Sequence, residues 1–256
     1  PRVIALHGWG RSGADFARVL DGTDALAIHL QGFGTTPPPP TAWGSVEYAD
    51  HLAAALVGTG PYLVVGHSFG GRVAVRLAAN HPELVTALVL TGVPLVRATP
   101  APKPSVLLRV VKRLRAAHLL PASVVEKVRR SHGSADYRAA HGVMRDVLVR
   151  LVAEDYRDDL ARITVPVHMV WGADDDAAPL AGARLAADLL HDVRLEVVPQ
   201  SGHLIDGDLE KHLATAVTDW LAGDDAQRAA GGADPADDRG EADRVDEPDE
   251  LRGDVE

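Results

Sequence analysis

The stretch Pro61 to Asn80, PYLVVGHSFGGRVAVRLAAN, constrains this chain more than any other. Tyr62 to Val65 is a short apolar run rich in β-branched residues, the pattern of a strand buried on both faces. Gly66-His67-Ser68-Phe69-Gly70 follows at once, and then an alanine-rich run carries Val73, Val75, Leu77 and Ala78 at helical spacing. The pattern reads as strand, sharp turn and helix, with a serine at the apex and glycine two residues to either side. A turn this tight strains the serine backbone, and side chains at Gly66 and Gly70 would collide with the adjoining strand and helix. It presents the Ser68 hydroxyl at the C-terminal edge of a sheet and aims the first helical N–H groups at whatever that hydroxyl attacks.

Strands alternate with helices on either side of this unit. Arg2–Leu6, Ala25–Leu30, Ala87–Thr91, Val165–Trp171 and Val193–Val198 read as further strands. Helices are expected around Phe16, Val19 and Leu20, over Val46–Val57, over Pro179–Leu190 and, last, from Leu209 to Leu221. Such alternation predicts an α/β fold with a mostly parallel central sheet and helices on both faces. Between residues 96 and 162 the strand pattern lapses into helical spacing, which predicts a helical insertion within a core made of residues 1–95 and 163–222. The insertion is basic: 12 basic and 3 acidic residues lie between Arg97 and Arg150. The stripe Val106, Val110 and Leu114, flanked by Arg109, Lys112, Arg113 and Arg115, reads as the solvated face of a cap helix with its stems over apolar neighbours; the competing readings put some of these cations at the entrance to Ser68, or lay the helix on a membrane surface.

Of the 36 acidic and 26 basic residues, 13 and 4 follow Gly223, so the net charge of −10 belongs almost wholly to the tail. Residues 223–256 hold few apolar side chains and are expected to be disordered. A folded part near neutrality gives no sign of a nucleic-acid partner. With no cysteine, no apolar run of membrane-spanning length and no signal peptide ahead of the first strand, the sequence predicts a cytoplasmic protein without a transmembrane segment.

A serine hydroxyl needs a base, and the base needs a group to orient it. His203 is the one histidine of 12 placed in a turn directly after a predicted strand and beyond the insertion. The preceding strand ends in Asp174, Asp175 and Asp176, any of which could hold the imidazole in its productive tautomer. The Phe69 N–H opens the elbow helix. The Trp9 N–H lies in the glycine-flanked loop Gly8-Trp9-Gly10, and the two would form an oxyanion hole.

HGWG (7–10), QGFG (31–34), GHSFGG (66–71), WGADD (171–175) and SGH (201–203) together resemble the α/β-hydrolase superfamily, in its helical-cap branch. The resemblance covers about Val3 to Leu221. It implies a Ser-Asp-His triad in the chain order Ser68, Asp175, His203. Asp175 is singled out because the family's G-x-x-D-x-x-x-P falls on Gly172, Asp175 and Pro179. The resemblance also implies a cap at 96–162, and it implies no metal or organic cofactor. Three departures stand out. The family's first two antiparallel strands have no counterpart after Pro1, and His29-Leu30-Gln31-Gly32 replaces D-L-P-G. Leu204 stands where carbon–carbon-cleaving relatives carry tryptophan. A serine nucleophile argues against the haloalkane dehalogenase and epoxide hydrolase branches. The expectation is a serine hydrolase, a carboxylesterase on a small or medium acyl ester. The competing readings are a thioesterase, a lipid hydrolase, a carbon–carbon hydrolase, a lyase-type relative of menaquinone synthesis, a receptor-like binding protein with very slow turnover, and a scaffold acting through the acidic tail.

Overall fold

The computed structural model describes residues 1–98 and 135–231. The chain divides into two units, Pro1–Asp219 and Trp220–Glu256. In the first, six strands form one sheet: β1 (Val3–Leu6), β2 (Ala25–Ile28), β3 (Tyr62–His67), β4 (Val85–Thr91), β5 (Val167–Gly172) and β6 (Val193–Val198). Their order is β2-β1-β3-β4-β5-β6, and every pairing among them is parallel. β1 and β3 are buried along their whole length, which is why they read as unbroken apolar runs. The outer strands β2 and β6 are half-exposed and carry charged or small residues between the apolar ones.

The helices are α1 (Ser45–Ala55), α2 (Phe69–Asn80), α3 (Ala135–Ala139), α4 (Val143–Leu151), α5 (Arg157–Leu160), α6 (Leu180–Ala187) and α7 (Gly207–Gly231). One core packs α1, α2 and α6 against Ile4, Leu6, Val64, Leu88, Leu90, Met169 and Trp171. The alternate strand residues, Val3, Ala5, Leu63, Val65, Val89 and Val170, are buried on the opposite face. Buried Phe16 and Val19, and Leu209, Leu213 and Val217 of α7, lie outside the first core and cover that other side. Helices thus flank both faces, as the alternation predicts.

Chain direction across the sheet reverses at β1: β2 is laid to one side of it and β3 to the other. In an open parallel sheet the crevice beyond the strand ends at such a reversal is where ligands bind. Here the loops leaving β1 and β3, residues 7–10 and 67–70, meet at that crevice.

The structure differs from the sequence expectation at several boundaries. The helix expected around Phe16 to Leu20 is a single 3-10 turn, Gly13–Phe16, capped by Ser12. Gly13 is pressed so close to β2 that a Cβ there would lie 2.8 Å from that of Ala27, and irregular turns carry the chain on to Gly22, which has φ +70°. The strand expected over Ala25–Leu30 stops at Ile28. The closing helix runs to Gly231, nine residues past the boundary at 222. Asp224-Asp225-Ala226-Gln227-Arg228-Ala229-Ala230 contains alanine, glutamine and arginine, all good helix formers, so the helix continues where a disordered tail was expected. Residues 232–256 lie outside the described part. So does the basic stripe Val106–Arg115. The described part of the insertion, 135–162, holds α3, α4 and α5.

Candidate active site

Ser68, between β3 and α2, has φ 51° and ψ −113°, a positive-φ conformation that a non-glycine residue adopts only under constraint. The constraint is local. A Cβ on Gly70 would stand 2.0 Å from the Leu6 carbonyl oxygen, and one on Gly66 would stand 2.5 Å from Gly71 Cα. The elbow is therefore wedged against β1 and α2 with no room for side chains at either glycine. The Gly70 N–H donates to the His7 carbonyl at 3.0 Å and the Ser68 N–H to the Thr91 carbonyl at 3.0 Å, which pins the apex from both neighbouring strands.

The ring of His203 lies between Ser68 and Asp175. Its Nδ1 is 2.9 Å from Asp175 Oδ2, and its Nε2 is 3.1 Å from Ser68 Oγ. A carboxylate only accepts, so Nδ1–H donates to Asp175. Nε2 is then left as the acceptor for the serine hydroxyl. The other oxygen of Asp175, Oδ1, receives the N–H groups of Ala177 and Ala178 at 2.9 and 2.7 Å. Asp175 is 5% exposed, whereas Asp174 and Asp176 are exposed. Gly92, with φ +59°, closes the far side: a Cβ there would meet the His203 ring at 3.0 Å and Asp175 Oδ2 at 3.3 Å. No sequence signal pointed to Gly92, because its neighbours are residues more than eighty positions away.

Trp9 lies in the loop after β1. The Gly8 carbonyl accepts from His7 Nδ1 at 2.8 Å and from the Arg11 N–H at 3.2 Å. In a trans peptide the N–H points opposite to the C=O, so holding the Gly8 carbonyl on one side directs the Trp9 N–H to the other. His7 Nε2 in turn accepts the Leu30 N–H at 3.2 Å. One neutral imidazole thus ties the loops after β1 and β2 together, and its burial lowers its pKa from the ordinary histidine value. Among the described residues, neither the Trp9 N–H nor the Phe69 N–H has a hydrogen-bond partner. Trp9, Phe33 and Phe69 form an aromatic wall beside the serine, with ring centroids 4.9 to 5.7 Å apart, and Tyr48 backs Phe69 at 5.0 Å. Met144 of α4 closes over Gly32, whose missing side chain leaves room for the thioether.

The insertion is fastened to α1 and α2 by buried polar contacts. Arg72 donates to the Leu151 carbonyl at 2.6 Å, and Arg76 pairs with Asp159 and lies over the Tyr156 ring at 4.7 Å. Ser45 Oγ and Tyr156 OH each donate to Glu154 at 2.6 Å.

A model of the alpha/beta hydrolase family matches residues 3–212. The chain belongs to the alpha/beta hydrolase family. Pimeloyl-[acyl-carrier protein] methyl ester esterase of Chromobacterium violaceum is 30% identical over 224 residues, covering 79% of this chain and 87% of that protein. Monoacylglycerol lipase of Mycolicibacterium smegmatis is 32% identical over 237 residues, covering 86% and 77%. Among solved structures, an esterase from Exiguobacterium antarcticum superposes with a TM-score of 0.65 at 22% identity, covering 86% of this chain and 91% of that one, which shows a shared fold. These similar proteins are named as esterases and a lipase. Among the described residues, no helix is long and apolar enough to cross a membrane and no cluster of three or more His, Cys, Asp or Glu is arranged to hold a metal ion.

Proposed function

We propose that the protein is a serine carboxylesterase acting on a small or medium acyl ester through an acyl-enzyme. The observation that carries this is the unbroken relay Asp175–His203–Ser68, at 2.9 and 3.1 Å, set beside two backbone N–H groups that have no partner among the described residues. Two relatives are named for cleaving carboxylic esters, one a methyl ester and one a monoacylglycerol, which supports the same bond class here.

In this reading Ser68 Oγ attacks the ester carbonyl carbon as His203 Nε2 takes its proton. The carbonyl oxygen gains the negative charge and receives the Trp9 and Phe69 N–H groups. Asp175 keeps the ring in the tautomer whose Nε2 can accept, and stabilises the imidazolium that forms. Collapse of the tetrahedral species breaks the bond to the leaving oxygen, which departs as the alcohol with the proton from His203. Water then adds to the acyl-enzyme by the same path, with His203 as base, and releases the carboxylic acid and Ser68. The aromatic wall of Trp9, Phe33 and Phe69, with Met144, offers an apolar surface for the acyl or alcohol chain. All of these steps use side chains and backbone of the chain itself.

The test is multiple turnover on p-nitrophenyl esters from acetate to octanoate. Many turnovers per protein are expected, and Ser68→Ala should retain below about one per cent of kcat with an unchanged thermal midpoint, since losing a triad serine costs several orders of magnitude. Turnover that stops at one equivalent would indicate a binding protein with an intact triad. Turnover undiminished in Ser68→Ala would exclude Ser68 as the nucleophile.

A further inference from the structure

His67 closes β3 and immediately precedes Ser68, and the mechanism above makes no use of it. Its side chain is buried, with 1% of the residue exposed. Nε2 lies 2.9 Å from the His203 carbonyl oxygen, so Nε2–H donates to the main chain of the base itself. The two imidazoles pack with centroids 5.0 Å apart at 46°. On its other side the ring meets the loop that carries Trp9: a Cβ on Gly8 would stand 2.9 Å from His67 Nδ1 and 3.1 Å from Cε1. One side chain therefore touches the oxyanion loop and the base loop while covalently joined to the nucleophile.

The base loop needs such an anchor. Its main chain is tied to the sheet end through the Asp174 N–H, which donates to the Ser201 carbonyl at 2.9 Å. Beyond Ser201, among the described residues, the His203 carbonyl receives its hydrogen bond from His67. From these contacts we infer that His67 is a positioning residue, whose neutral Nε2–H tautomer fixes the main chain of His203 and thereby sets the base against Ser68. The inference rests on the triad reading above.

The surroundings favour that tautomer. With Nε2 donating, Nδ1 of a neutral ring holds only a lone pair, and among the described residues Nδ1 is buried with no hydrogen-bond partner. Burial, and then the charge on the neighbouring His203 ring, push the pKa of His67 down to about 4; the hydrogen bond to the His203 carbonyl and Asp15 act in the opposite direction, and Arg11 in the same one. Turnover places a positive charge on His203, so a second cation at His67 would oppose the same step.

The test compares two substitutions in the full-length protein. His67→Gln keeps an N–H near the Nε2 position but packs poorly. His67→Phe keeps the ring shape and loses the donor. If His67 positions the base, His67→Phe should hold the thermal midpoint better than His67→Gln yet lose about 10- to 100-fold in kcat, the scale of a displaced catalytic group, with KM changed less than about threefold. His67→Gln should stay within about fivefold of wild-type kcat despite its lower midpoint. Activities that instead follow the order of stability would reduce His67 to a packing residue and overturn the inference. A measurement on the wild type covers the case in which a variant fails to fold. Nitrogen-15 histidine NMR should show His67 neutral and protonated at Nε2 from pH 8 to pH 5. A ring protonated at Nδ1, or charged at pH 6, would overturn it. That spectrum does not depend on turnover, so it fails independently of the Ser68→Ala test.

Discussion

The two loops that meet at the candidate site are fixed in opposite ways. The elbow is made possible by its own sequence: Gly66 and Gly70 lie two residues from Ser68, and their missing side chains allow the turn to wedge against β1 and α2. The base loop is held by residues far away in the chain. His203 takes its orientation from Asp175, 28 residues back, and its main-chain anchor from His67, 136 residues back. Within the base loop Gly202 has open space where a Cβ would go. The elbow thus carries in its own residues the glycines that let it fit between β1 and β4, whereas His203 is only as well placed as its distant partners.

Substitutions that break this contrast should do so in a definite order. Asp175→Asn offers His203 the wrong partner and is expected to lower kcat by about 10³- to 10⁴-fold, the scale seen when a triad acid is neutralised. Asp174→Asn and Asp176→Asn, whose side chains face solvent, should stay within about twofold. Steady-state kinetics of the three variants decides the matter, and a larger loss in Asp174→Asn would move the acid by one position. Gly70→Ala comes next: its Cβ would fall 2.0 Å from the Leu6 carbonyl oxygen. It should lower stability by about 3 to 5 kcal/mol in urea titration, because backbone cannot yield as a side chain can. Gly92→Ala combines a positive φ with contact on the His203–Asp175 pair. It should cost about tenfold in kcat and about 1 to 2 kcal/mol in stability. Gly202→Ala should be almost silent, within about 0.5 kcal/mol and about twofold in kcat. Equal damage from Gly70→Ala and Gly202→Ala would erase the distinction between the two loops.

Acid should expose the same buried imidazoles. His67 titrates near 4 in the folded chain against an ordinary 6.5, so between these values the unfolded chain binds the extra proton. Stability is then unaffected above about pH 6.5 and falls as pH drops toward 4, by up to about 1.4 kcal/mol per pH unit for this group. Buried His7, also lowered, adds in the same direction. Urea midpoints at pH 7 and pH 5 should show the loss, and His67→Phe should flatten it.

Much of this architecture was legible in the residues. The strands β1 and β3 are unbroken apolar runs because both of their faces are buried. The elbow was legible because its steric logic is contained in five residues. Asp175 could be chosen from three neighbours only through the family spacing to Gly172 and Pro179; what separates it physically is its burial and the two N–H groups it accepts, which are tertiary facts. His67, Gly92 and the role of His7 were not legible, since each acts on a segment remote in sequence. The helix expected around Phe16 gives way to a 3-10 turn because Gly13 packs on β2, and the closing helix outruns its expected end because a stretch poor in apolar side chains still carries residues of high helix propensity.

The most direct test is to trap the acyl-enzyme. Full-length protein mixed with p-nitrophenyl butyrate and quenched in acid during turnover should carry one butyryl group, located by peptide mass mapping on Ser68 and absent from Ser68→Ala. An acyl group on any other residue, or steady turnover with no adduct on Ser68 in either the wild type or Asp175→Asn, would contradict the account.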